Sequence, residues 1–271
     1  MKTLLKTTFL TAALAALAGT SLHAATTQGV VPSGWVGQGG FGSGTADGDI
    51  VAAPVDDGSY RYVTTTGGLD GVGALDGVGG DGDPENGSTL TTSMFDADAG
   101  DELEFFFNYM TSDGGGFADY AWARLLDDGG DQVALLFTAR TTPGGNTVPG
   151  FSMPDPEATL TPGLVSIVDG ATEWSALGGD SGSCFSTGCG NTGWVQSVFE
   201  IADGGSYSLQ FGVTNWNDSQ FASGMAVAGA NIGGVAIDPP TAPVPLPAAG
   251  WLMIAGLGGL AAARRATRKK A

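Results

Sequence analysis

The chain has 271 residues, with 28 Asp and Glu against 10 Lys and Arg and a formal net charge of −18, a balance that repels nucleic acid. Its 47 glycines argue against long helices, each costing about 1 kcal/mol inside one. His23, Lys2, Lys6, Lys269 and Lys270 all lie near the termini, so the stretch between lacks the side chains for a Ser-His-Asp or Cys-His nucleophile, a His-ligated zinc, a Schiff base or a phosphate-loop lysine.

At the N-terminus, Lys2 and Lys6 precede the apolar run Phe9 to Ala18, and Gly19-Thr20-Ser21-Leu22-His23 leads to the small residue Ala24. That order of basic, apolar and small residues is a secretory signal peptide over 1–24, with cleavage after Ala24. Past it the only cations before the far tail are Arg61, Arg124 and Arg140, against all of the acidic residues. Such a surface keeps an exported protein solvated, and it also allows Ca²⁺ sites, the one cofactor the residues suggest.

From 25 to 238 the pattern is short Val-, Thr-, Phe- and Tyr-rich runs bounded by Gly, Asp, Asn and Pro, which reads as strands and turns. Strands are expected at 49–55, 60–66 and 89–95. The clearest follows at 101–110, where Leu103, Phe105, Phe107 and Tyr109 share one parity and predict a face set against a core. Further strands are expected at 120–126, 133–140 and 194–201, then at 206–214, where Tyr207, Leu209, Phe211 and Val213 alternate with polar residues. The last is expected at 224–237. Together they predict an all-β fold, a single antiparallel β-sandwich of jelly-roll-like type.

Two stretches break the pattern. Residues 67–87 contain a duplicated step, Leu69-Asp70-Gly71-Val72-Gly73 and Leu75-Asp76-Gly77-Val78-Gly79, and read as a long exposed loop. There Asp81, Asp83 and Glu85 alternate as calcium ligands do, but Asn86 and Thr92 stand where an EF-hand loop needs Gly and Glu. Residues 141–163, rich in Pro and Gly, read as a second surface loop. Cys184 and Cys189, the two cysteines, are expected to pair, since an exported chain meets oxidising conditions.

The polar turns after the two clearest strands supply the candidate site. Asp113 and Asp119 flank the turn after 101–110, and Asp218 follows Thr214-Asn215-Trp216-Asn217. Strand-end Asp and Asn give hard oxygen ligands for Ca²⁺, and a neighbouring Trp can stack on a sugar ring. The plainer alternative is that these residues cap turns through local hydrogen bonds while Trp122 and Trp216 sit in the core. A carboxylate pair, as in glycosidases, is the route to hydrolysis that the composition leaves open.

The C-terminus carries the most specific signal. Residues 239–245 form a Pro-rich extended spacer. Val244-Pro245-Leu246-Pro247-Ala248 then leads into an uncharged run, 246–263, within the roughly 17–25 residues that span a bilayer. Arg264, Arg265, Arg268, Lys269 and Lys270 follow, and such clusters stay on the cytoplasmic side. This order over 244–271 resembles the VPLPA variant of the PEP-CTERM sorting signal of Gram-negative bacteria. The family's usual signal has Glu where this chain has Leu246. The resemblance implies an exosortase-type transpeptidase as partner and a route from the inner membrane to the cell surface or extracellular matrix. The turns after 101–110 and 206–214 also resemble the globular domains found ahead of such tails. The expectation is therefore an exported, sorted, non-enzymatic surface protein that binds glycan, such as extracellular polysaccharide, or Ca²⁺. A carboxylate-dependent glycoside-active enzyme is the alternative.

Overall fold

A computed structural model describes residues 27–55 and 57–237. The expected signal peptide, spacer, sorting motif Val244, Pro245, Leu246, Pro247 and Ala248, and transmembrane segment lie outside the described residues. Among those described, no helix is long and apolar enough to cross a membrane.

The strands of three residues or more are β1 (Val36–Gln38), β2 (Gly40–Gly44), β3 (Tyr60–Thr64), β4 (Pro84–Thr91), β5 (Phe95–Ala97), β6 (Glu102–Thr111), β7 (Tyr120–Asp127), β8 (Gln132–Arg140), β9 (Thr159–Thr161), β10 (Val195–Glu200), β11 (Gly205–Trp216) and β12 (Ser223–Ile232). A few two-residue strands complete two antiparallel sheets, one of 10 strands and one of 7. In the larger sheet β2, β3, β12, β6, β10 and β9 are successive neighbours. In the smaller one the order is β8-β7-β11-β4-β1, with β5 paired to β11.

The two sheets face each other because β6 and β11 each hold one apolar parity. Leu103, Phe105, Phe107 and Tyr109 are buried with Leu209, Phe211 and Val213 in one cluster, as their alternation predicts. Phe107 stacks on Phe137 of β8 at 3.8 Å, and Phe105 meets Phe211 edge-on at 5.6 Å. Such aromatic pairs add about 0.5–1.5 kcal/mol each beyond area burial.

Each sheet also has a covered outer face. On the larger sheet, Met110, Tyr60 and Tyr62 pack with Ile50, Trp174 and Leu177. Residues 49–55 were expected as a strand, and here the structure differs. The carboxylates of Asp47 and Asp49 accept the N–H groups of Ser175 and Glu173. Ile50 and Ala53 therefore plug the face instead of extending a ladder.

On the smaller sheet the segment before β4 does the covering, so the expectation of an exposed loop at 67–87 holds in part: most of these residues are exposed, but Gly73 and Leu75 are buried. The last residues of this stretch are strand β4. The preceding ones dock through carbonyls: Gly73 accepts from Trp122 Nε1, Gly79 from Arg140 Nη1 and Asp81 from Trp216 Nε1. The duplicated halves have different fates. Leu69 is exposed, whereas Leu75 is buried among Tyr120, Trp122 and Trp216. Gly73 has φ +80°, and a Cβ there would stand 2.5 Å from the Val213 carbonyl oxygen, so the close approach needs glycine.

The expected surface loop at 141–163 likewise holds in part, with 143–146 and 161–163 exposed. Val148 is buried in the main core, and residues 159–161 form β9 on the larger sheet. The expected strand at 224–237 ends at Ile232, where Gly233 and Gly234 (φ +54° and +80°) reverse the chain.

Candidate functional site

Among the described residues, Asp113, Asp119, Asp218 and the Cys184–Cys189 loop meet at one end of the two-sheet stack. There β6, β8 and β11 end, and β7 and β12 begin. A buried polar network joins them. Tyr109 donates its hydroxyl to the Asp119 carbonyl at 3.0 Å and lies 2.8 Å from Thr141 Oγ1. Ser223 Oγ lies 2.8 Å from Thr111 Oγ1 and donates to Asp119 Oδ2 at 2.6 Å. Asp119 Oδ1 accepts the Trp216 backbone N–H at 2.8 Å. One carboxylate thus ties β12 to the end of β11.

Asp119 is fully buried, and that burial holds its carboxyl well above the ordinary range, against the bond from Ser223. Asp113 is pushed from 3.8 up to about 7, chiefly by burial, offset by the Gly114 N–H, and raised further by the carboxylates of Asp218 and Asp180. It is 1% exposed, and its Oδ1 accepts from Gly114 at 2.7 Å. Asp218, half-buried, accepts from the Gln220 N–H at 2.8 Å.

The structure therefore brings Asp113, Asp119 and Asp218 into one electrostatic neighbourhood, each satisfied by a local hydrogen bond. Among the described residues no group of three His, Cys, Asp or Glu is arranged to hold a metal ion. Asp81, Asp83 and Glu85 likewise form no such group; the Asp81 and Asp83 carbonyls instead accept from Trp216 Nε1 and the Asn217 N–H. Trp122 and Trp216 are buried, the plainer of the two readings of these side chains.

Cys184 and Cys189 form the expected disulfide, with Cα atoms 5.6 Å apart. The loop it closes packs on this same end. Phe185 N–H donates to the Ser112 carbonyl, and Gly115 N–H to that of Thr187. Phe185 in turn meets Phe117 at 5.6 Å and Phe221 at 4.9 Å.

Two clefts of the described residues bear on binding, and one of them is at this end. One, of about 500 Å³, lies on the outer face of the smaller sheet and is lined by Arg124, Asp76, Asp131, Asp155 and Glu157. Its guanidinium is held by Gln210 Oε1 at 2.6 Å and lies 4.9 Å from the Trp122 ring centroid. The other, of about 220 Å³, is at the loop end and is lined by Thr66, Asn86, Asp180, Asn215, Ser219 and Ala222 among others. Sequence reasoning passed over Thr66, Asp180 and Asn215, because nothing in their local patterns distinguishes them from ordinary turn residues. The Asn215-Trp216-Asn217-Asp218 run was the signal closest to them.

The three arginines of the described residues are all drawn inward. Arg61 and Arg140 are 1% exposed, and Arg124 is half-buried. Arg140 donates to the carbonyls of Ala118 at 3.0 Å and Gly79 at 2.6 Å, with the Trp216 ring centroid 4.5 Å away. Little positive charge is left outside, so the surface field is that of the carboxylates.

No protein-family model matches the chain, and no curated protein matches it. Two solved structures are similar at low identity. One is the enzymatically active domain of tailspike protein 4 from bacteriophage CBA120, at 12% identity and a TM-score of 0.32 over 74% of this chain and 19% of that one. The chain therefore spans about a fifth of that tailspike chain's length. The other is the K1 cleaved adhesin domain of Lys-gingipain from Porphyromonas gingivalis W83, at 13% identity and a TM-score of 0.37 over 77% and 97%.

Proposed function

We propose that this protein is exported, held at the inner membrane by its C-terminal segment, and sorted to the cell surface or extracellular matrix. There its β-domain acts as a non-enzymatic binding module for extracellular glycan. The observation that carries this reading is the order of the tail: Val244-Pro245-Leu246-Pro247-Ala248, an uncharged run, then a basic cluster. The Cys184–Cys189 disulfide supports it, because such bonds persist in oxidising compartments. So does a surface whose few arginines are turned inward. The finer architecture in this proposal is jelly-roll-like: β3 and β12, far apart in sequence, are neighbours in the larger sheet, as Greek-key crossings require.

Intact-mass measurement of the exported protein tests the sorting. A chain beginning near Ala25 and ending near Val244 is the expected result. A mature chain that retains the tail through Ala271 would reduce the tail to a plain membrane anchor.

One observation favours the enzymatic alternative: burial keeps Asp113 protonated up to about 7, with the field of the Asp218 carboxylate acting in the same direction, and a carboxyl protonated near neutrality is what a glycosidase's general acid needs. Release of reducing ends from neutral and acidic polysaccharides, abolished by Asp113→Asn, would establish it.

A further inference from the structure

The loop closed by Cys184 and Cys189 is an outer layer of the loop end. Cys184, Phe185, Ser186 and Thr187 are exposed, whereas Asp113, on the turn they lie against, is buried. Phe185 N–H donates to the Ser112 carbonyl at 2.9 Å and Gly115 N–H to the Thr187 carbonyl at 3.0 Å. Asp113 and Gly114 therefore sit between two rungs that join the loop to the turn. A Cβ at Gly114 would overlap Ser186 Oγ, and one at Gly188 would stand 2.5 Å from the Thr142 carbonyl oxygen. Glycine at both positions lets the loop lie directly on the 112–115 turn and on the segment after β8.

The two ends of the loop are anchored without the disulfide. Ser183 N–H donates to the Asp180 carbonyl at 2.9 Å, and Gly190 pairs with Thr111 of β6. Between those anchors the arc is tied down by the two rungs and by the contacts of the Phe185 ring with Phe117 and Phe221. Phe185 is 49% exposed, so water competes at this contact. The S–S bond is what keeps so short an arc in the shape that makes the rungs.

We propose that this loop is a redox-released strap. With the disulfide closed it shuts Asp113 inside the loop end; reduction frees the arc between Ser183 and Gly190, and Asp113 joins Asp180 and Asp218 at the surface. The reductant is a dithiol, and two electrons and two protons pass to the protein. A donor thiolate bonds to the sulfur of Cys184, the exposed one of the pair, and buried Cys189 leaves as a thiolate and takes up a proton. The donor's second thiol then displaces Cys184, which is protonated in turn, and the donor departs as a disulfide. That the strap closes on arrival in an oxidising compartment rests on the export proposed above; the strap itself does not.

Carbodiimide coupling of an amine to accessible carboxyls, read by peptide mass on the exported protein, tests this. With the disulfide intact, Asp113 is expected to stay unlabelled while exposed Asp128 is labelled. After reduction with dithiothreitol and capping with iodoacetamide, Asp113 should be labelled as well. A double variant, Cys184→Ser with Cys189→Ser, should label Asp113 with no reductant present. Amide exchange in both should rise about tenfold or more across 112–117 and 184–189 and keep the parent rate in the middle of β6 and β12. Labelling of Asp113 in the oxidised protein overturns the proposal, as does its absence from both the reduced protein and the double variant. Exchange that rises equally in β6 and β12 overturns it too, because the arc would not then open apart from the sheets. A mature chain with an uncleaved tail leaves these outcomes untouched, so the sorting and the strap fail separately.

Discussion

The two ends of the two-sheet stack use the same residue types to opposite purposes. At one end the strands are joined by short turns whose carboxylates face solvent. Asp127 Oδ1 accepts the N–H groups of Gly129 and Asp131, and Asp101 accepts that of Asp98. At the other end, long connections converge on Asp119 and Asp113, both buried and both shifted up in pKa. An aspartate that closes a turn in water is replaceable, because solvent competes for every bond it makes. An aspartate taken out of water is held only where its partners repay the desolvation, and the whole loop architecture then depends on it.

The largest expected effect is at the centre of that dependence. Asp119→Ala removes the acceptor of the Trp216 N–H and of the Ser223 hydroxyl and leaves both buried. The loss is expected at about 1–3 kcal/mol for each orphaned group, measured by urea denaturation. Asp119→Asn keeps one acceptor and carries no charge to desolvate, and should cost less. If the alanine variant were as mild as an alanine at Asp127, the contrast between the two ends would fall.

Next in size is the disulfide. Cys184→Ser should lower stability by about 2 kcal/mol, the chain-entropy value for so short a loop. Amide exchange should rise across 182–190 more than in β6, since Phe185 and Thr187 each hold that loop to the turn after β6 by one backbone bond.

What could be read from the sequence divides along the same line. The period-2 runs of β6 and β11 announced the inter-sheet core, because burying one face of a strand leaves a direct trace in residue order. The disulfide was legible for the same reason: two cysteines leave one pairing. The clustering of Asp113, Asp119 and Asp218 could be sensed from strand ends sharing one pole of the fold. The covered outer faces were not legible. Leu75, Ile50 and Val148 sit in Gly-, Asp- and Pro-rich surroundings, and what buries them is contact between residues far apart in sequence: loop carbonyls accepting from Trp122, Arg140 and Trp216 around Leu75, the Asp47 and Asp49 carboxylates accepting from Ser175 and Glu173 beside Ile50, and backbone bonds between Val148 and Val165. Asn215 Oδ1 and Thr66 Oγ1, each buried with no hydrogen-bond partner, are harder still, since an absent hydrogen bond has no pattern at all.

A third test sharpens the comparison through pH. In the unfolded chain Asp113 ionises near 3.8, while in the fold it keeps its proton up to about 7. Between those values the native state binds the extra proton, so stability falls as pH rises through the window and levels off above it. Asp119, also raised, contributes with the same sign. Asp113→Asn should flatten part of this slope: equal to the parent near pH 4 and more stable than it at pH 8, followed as melting midpoint against pH. A parent whose midpoint climbed from pH 4 to pH 7 would contradict the burial of both carboxyls.

The smallest effect belongs to the opposite end. Asp127→Ala removes two bonds to backbone N–H groups in the turn before β8. Those N–H groups face water, which takes over as acceptor, so only the net worth of each bond is lost, about 0.5–1.5 kcal/mol at most. Urea denaturation of this variant beside Asp119→Ala makes the test quantitative: a loss at Asp127 as large as the loss at Asp119 would mean that the turn carboxylate is as little replaceable as the buried one.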